Sequence, residues 1–115
     1  MAKGKFTEKT RELIQKRADY RCEICGIRMA YGGQIHHRQP RGMGGSRNKE
    51  IASPANGIYV HMNCHAMVES IRSRAYTMGW LVHRGRSIGS QEVRLWDGWF
   101  LLTDDGLRLP YSPDG

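Results

Sequence analysis

Hydrophobic and polar positions alternate along the chain with two periods, one helical and one strand-like. Between Thr7 and Ala18, Leu13, Ile14 and Ala18 form a short apolar stripe opposite Lys9, Arg11, Lys16 and Arg17, with Thr7 placed to cap a helix and Glu8 in its first turn. Gln34-Ile35-His36-His37 reads as a short strand, and Pro40 to Arg47, rich in glycine, reads as a flexible basic loop. After the turn-rich stretch Ser53 to Gly57, the run Ile58-Tyr59-Val60 predicts a second strand that delivers His61. Helical spacing returns from Cys64 to Met78, with Val68, Ile71, Ala75 and Met78 on one side, His65, Glu69, Arg72 and Tyr76 on another, and Gly79 as the C-cap. The remainder predicts a small β meander made of Trp80-Leu81-Val82, Val93 to Trp96 and Trp99 to Leu102. Asp97-Gly98 is its hairpin signal, Asp104-Asp105-Gly106 a further turn, and Ser112 to Gly115 a frayed end. The fold class is therefore α+β, one domain over residues 1–115 with a β extension at 80–111.

Composition says what must hold such a domain together. With 115 residues, 39% hydrophobic and only two Phe, the core is modest, and a domain short of core recruits a staple. Three cysteines, an odd number, exclude a fully paired disulfide framework, which leaves a metal. No apolar run approaches the roughly 20 residues of a membrane span, and no secretory signal follows the first lysines, so a soluble intracellular protein is expected. A formal charge of +7 favours a polyanionic partner, nucleic acid first.

The metal has a natural home. Cys22-x-x-Cys25, followed by Gly26, and His61-x-x-Cys64 are two knuckles of equal spacing, 35 residues apart, and they account for every cysteine. Four such donors close a tetrahedral Zn2+ site with no position left for water or substrate, so this zinc is expected to be structural.

A second set remains: His36, His37, Asn56, His65 and Glu69, on a strand, a loop and a helix that the zinc draws together. Neighbours on a strand point to opposite sides, so one of His36 and His37 can bind a metal while the other stays free as a base. His65 follows a zinc ligand directly, and Glu69 lies one turn further along the same helix face.

CxxCG, then His36-His37 with the glycine-rich loop, then Asn56, then Cys64-His65, resembles the HNH endonuclease family over about residues 20–78. More narrowly, Ile-His-His-Arg-x-Pro-Arg-Gly-x-Gly-Gly-Ser with a trailing helix and a tryptophan-containing tail looks like the stand-alone HNH proteins of bacteriophages. The resemblance implies a zinc-stapled ββα-metal (His-Me finger) unit that hydrolyses phosphodiester bonds in double-stranded DNA. In it His37 is the general base, His36 and His65 bind one divalent cation, and Asn56 orients the base through the strand backbone or the ring's other nitrogen. A phage origin would place the protein in the host cytoplasm, with other phage proteins as possible partners.

This sequence departs from that pattern in two places. Many relatives carry Asp where His36 stands, so the site lacks a carboxylate, which shifts its preference from Mg2+ toward Mn2+, Ni2+ or Zn2+. Glu69 either restores the charge or pairs with Arg72. His61 also stands where many relatives have Cys. For phosphate contacts the expected residues are Arg38, Arg41, Arg47 and Lys49, with Arg72 and Arg74 second. His83 is read as a surface residue, and Trp80, Trp96, Trp99 and Phe100 as the apolar side of the meander. Two rival functions share the scaffold: a zinc-knuckle DNA-binding module without catalysis, and an RNA-directed or toxin-like nuclease.

Overall fold

The computed structural model describes residues 4–29, 32–41 and 49–112, and the glycine-rich loop beyond Arg41, Arg47 included, lies outside them, as does the chain end after Ser112. Helix α1 spans Glu8–Arg17. Thr7 caps it by accepting a hydrogen bond from the Thr10 N–H at 3.1 Å, and Glu8 and Lys16 complement the helix dipole at the two ends. Its Ile14 is fully buried.

Strand β1, Gln34–His37, pairs antiparallel with β2, Gly57–Val60, in the register His36 opposite Ile58 and His37 opposite Gly57. Two 3-10 turns, Lys49–Ala52 and Pro54–Asn56, lead into β2, all of whose residues are buried. Helix α2, Met62–Ser70, begins as soon as β2 ends, followed by α3, Arg72–Met78. A second antiparallel sheet comprises β3, Val93–Leu95, β4, Gly98–Leu102, and β5, Arg108–Pro110, in that order. One apolar cluster joins α1, both sheets and the helices through Ile14, Ile58, Val60, Val68, Leu95 and Leu102. This is a small α+β domain with two antiparallel sheets. Among the described residues no helix is long and apolar enough to cross a membrane.

Three expectations need correction. The single helix from Cys64 to Met78 is two helices, broken where Ile71 adopts φ −120° and ψ 66°, and the first starts at Met62. Trp80-Leu81-Val82 is not a strand, because the Leu81 N–H is used by the Ala75 carbonyl and the Val82 N–H by that of Arg38, which leaves no ladder. The hairpin loop between β3 and β4 is Trp96-Asp97, one residue earlier than expected, since Leu95 pairs with Gly98. Asp97 is held there by a bidentate ion pair with Arg108 on β5, at 2.8 and 2.7 Å. Gly79 does cap α3 in the left-handed conformation, and a side chain there would collide with the Glu92 carbonyl.

Candidate metal centre and adjoining cavity

The chain from Arg21 to Arg28 doubles back on itself, with the Cys22 N–H donating to Ile27 O and the Gly26 N–H to Cys22 O. Gly26 takes φ +81° and lies so close to the Trp96 ring that a Cβ would overlap it. The Glu23 N–H donates to the Tyr59 carbonyl at 2.7 Å, hanging the knuckle on β2. His61 and Cys64 arrive from the start of α2. One donor atom from each of Cys22, Cys25, His61 and Cys64 lies within 4.8 Å of all the others. His61 Nε2 is 3.1 Å from Cys25 Sγ and 3.2 Å from Cys64 Sγ.

This donor set fits zinc. Burial and the neighbouring Cys22 and Cys25 push the Cys64 thiol well above its usual range, a cost that a bound cation would offset by favouring the thiolate. The Cys3His cluster can therefore hold a structural metal such as zinc, with the four donors filling a tetrahedral shell.

A second cluster is formed by His36, His65 and Glu69, again with ligand atoms within 4.8 Å of one another. His36 is buried on β1, and its Nε2–H donates to the Trp80 carbonyl at 3.0 Å, which leaves Nδ1 unprotonated and 4.0 Å from Glu69 Oε1. His65 is oriented the same way by a residue that sequence reasoning did not single out. Its Nδ1–H donates to Gln34 Oε1 at 2.6 Å, leaving Nε2 free, 4.0 Å from the same Glu69 oxygen. Two lone pairs and a carboxylate thus face one point, and each imidazole's far nitrogen is tied, an arrangement that presets rings as ligands. Burial and the adjacent His65 push the His36 pKa down to about 4, so it is neutral and able to ligate at pH 7. The second Glu69 oxygen sits 3.2 Å from Arg72, so the expected pairing with Arg72 is present while the first oxygen stays on the side of the two histidines.

His37 opens onto the same cavity, a hollow of about 310 Å3 that is also bordered by His36, His65, Glu69, Arg41 and Leu81. The two adjacent strand histidines meet different surroundings. The His37 ring stacks on Phe6, centroids 4.1 Å apart, and its Nε2–H donates to the Gly4 carbonyl at 2.8 Å. Its Nδ1 is the free, basic nitrogen. Burial lowers the His37 pKa, and Arg41 works in the same direction, both favouring the neutral ring. Neither Gly4 nor Phe6 was expected at the site; a backbone carbonyl carries no sequence signal, and Phe6 precedes the helix without periodic partners.

Asn56 bonds neither the β1 backbone nor a histidine ring through its side chain; it reaches the backbone just beyond the strand, at Gln39. Its amide pairs with both backbone groups of Gln39, and its own carbonyl accepts from the Arg38 N–H. It acts as a positioning residue for the chain segment that leaves β1.

The arginines divide. Arg38 is a correction: its side chain is fully buried, with Nε, Nη1 and Nη2 donating to the carbonyls of Gly79, Ala55 and Gln91 at 2.9, 2.9 and 3.0 Å, so it clamps three segments and reaches no phosphate. Burial lowers its pKa to about 9, still charged at neutral pH. Arg17, read as part of the polar face of α1, is also inside. It makes a bidentate pair with buried Glu23, at 3.0 and 2.7 Å, and donates to the carbonyls of Pro54 and Gly57. Lys49, Arg72 and Arg74 are exposed, and Arg41 is half-buried at the cavity. Arg74 lines a separate groove with Met67, Met78 and Trp96, whereas Arg72 stays beside Glu69. His83 is exposed as expected and stacks on Tyr76 at 3.8 Å. Of the aromatics, Trp80 is buried, while Trp96 remains 44% exposed at the hairpin turn.

No known protein family, curated protein or solved structure matches the chain.

Proposed function

We propose that this protein is a cation-dependent endonuclease of the HNH type, hydrolysing DNA phosphodiester bonds in the cavity between β1 and α2. One observation carries the reading: His36 Nδ1, His65 Nε2 and Glu69 converge beside a third histidine, His37, which lines the same hollow and uses only its Nε2 in a hydrogen bond, to Gly4 O. A site of three side-chain donors leaves positions for oxygen ligands, which is what distinguishes it from the closed Cys3His cluster.

In this reading His37 Nδ1 accepts a proton from a water in the cavity as that water's oxygen attacks phosphorus and the bond to the leaving 3′ oxygen breaks. A neutral imidazole is suited to this at neutral pH, and its lowered pKa keeps it unprotonated. His36 and His65, with Glu69 in place of the carboxylate that His36 does not provide, would hold a divalent cation, which when bound would supply positive charge for the phosphate and leaving oxygens. The Gly4 carbonyl fixes the tautomer of His37, and Asn56 fixes the chain beyond it. The Cys3His zinc holds β2 and the start of α2 in place and takes no part in the chemistry. Double-stranded DNA as substrate rests on the charge of +7 and on exposed Lys49 and Arg72.

A DNA-binding module without catalysis is the second reading, and the Arg72–Glu69 ion pair is the contact that favours it, since it engages one of the cavity's acidic oxygens. Supercoiled plasmid incubated with the purified protein across Mg2+, Mn2+ and Ni2+ separates the two. Nicked or linear product that requires an added cation supports the nuclease, and retention of the plasmid without cutting under every cation supports the module.

A further inference from the structure

Among the described residues, Arg41 Nη1 is the buried side-chain polar atom without a hydrogen-bond partner. A charged donor shielded from water and left unpaired is costly, so its presence calls for an explanation. Arg38 and Arg17 show how this fold treats arginines that have no ligand to meet: each is satisfied by carbonyls or a carboxylate. Arg41 is treated differently, and it borders the cavity that holds His37 and the His36–His65–Glu69 cluster.

Its placement is also enforced. The Cβ that Gly4 lacks would lie 3.2 Å from both Cγ and Cδ of Arg41, so the aliphatic stem packs against the residue whose carbonyl orients His37. Gly4 thereby touches both residues, its carbonyl the His37 ring and its Cα side the Arg41 stem, and the Arg41 charge lies close enough to act on His37 across the cavity that both border. Such a donor fits a tetrahedral oxyanion, because a guanidinium presents N–H groups in a fork matched to phosphate oxygens.

We propose that Arg41 receives a non-bridging oxygen of the scissile phosphodiester, holding the phosphorus within reach of the water that His37 activates. This rests on the nuclease reading for its substrate, but the anion site itself does not. Arg41 thus has a role apart from those of Lys49 and Arg72, which are exposed and are not among the residues that border the cavity.

The test pairs Arg41→Met with Arg41→Lys. Inorganic phosphate, added to zinc-loaded protein without any other cation, is expected to raise the melting temperature of the wild type, to raise that of Arg41→Lys less, and to leave Arg41→Met unmoved. On plasmid, with the cation that best supports wild-type cutting, Arg41→Met is expected to lower kcat about a hundredfold or more, the scale of losing one donor to a developing oxyanion, with partial recovery in Arg41→Lys. Equal phosphate stabilisation of wild type and Arg41→Met overturns the anion site. Phosphate dependence that follows Arg41 together with unchanged kcat overturns the placement on the scissile group while leaving the nuclease reading intact. A wild type that never cuts, yet is stabilised by phosphate through Arg41, overturns the nuclease reading and keeps the anion site.

Discussion

Asn56 holds Gln39 by both halves of its amide: Oδ1 accepts from the Gln39 N–H at 2.7 Å and Nδ2 donates to the Gln39 carbonyl at 3.0 Å, while Nδ2 also reaches Ile51 O at 2.9 Å. The segment that leaves β1 after His37 is thus fixed by a side chain 17 residues away. Asn56→Ala strands a buried N–H and two carbonyls, and at ~1–3 kcal/mol for each unsatisfied buried group the variant should lose about 3 kcal/mol or more. Urea unfolding of zinc-loaded protein measures this. A loss under about 1 kcal/mol would show that the amide is dispensable.

The Cys3His cluster should hold one tightly bound Zn2+ per chain. Structural zinc contributes on the order of 10 kcal/mol, comparable to the whole stability of a small domain. Cys64→Ser, which alters a buried donor, should therefore give insoluble or molten protein. Elemental analysis that finds no zinc in wild-type protein with a cooperative melt would contradict the assignment.

His36 makes stability depend on pH in a stated direction. Its folded pKa of about 4 lies below the ordinary 6.5, so the folded state binds fewer protons than the unfolded one between those values. The stability this contributes is fully present above pH 6.5 and is lost as pH falls toward 4, about 3 kcal/mol across the window. His36→Gln keeps an N–H for the Trp80 carbonyl and removes the titration. Zinc release at acid pH is common to both proteins, so the difference between their curves isolates His36. Parallel curves from pH 7.5 to 4.5 would refute the linkage.

The Cys3His cluster was legible in the sequence because its signal is local: equal spacings, every cysteine used, and a glycine where the knuckle turns. So were α1, capped by Thr7, and the strand pair that carries His36 and His37, each marked by periodicity within a few residues. The burial of Arg38 and Arg17 was not legible. An arginine's surroundings are set by carbonyls from distant segments, Ala55, Gly79 and Gln91 for Arg38, and a carbonyl has no letter of its own. Gln34 could have been found, since it stands two residues before His36 and so shares its side of β1. The break at Ile71 left no trace either, because an isoleucine at helical spacing reads as helix core whether or not the backbone turns there.

The roles proposed for His36 and His37 differ in a way that one pair of variants resolves. His37 belongs to neither metal cluster, so His37→Ala should keep its zinc and its affinity for DNA. It gives up the stack on Phe6 and the hydrogen bond to Gly4 O, which should lower stability by about 1 kcal/mol. Cleavage should fall far more, roughly a hundredfold or beyond, because a positioned general base contributes about 10²–10⁴ in rate. Imidazole added to the solution, small enough to enter the vacated space, should restore part of the rate to this variant alone. His36→Ala should respond instead to the cation: losing one of three donors weakens binding, so raising the divalent ion concentration should recover part of the activity. Plasmid cutting at the wild-type rate by His37→Ala, beside a dead His36→Ala that neither cation nor imidazole revives, would reverse the two assignments. Equal loss in both variants, unrescued by either additive, would mean that the histidines serve only to hold the cavity's shape.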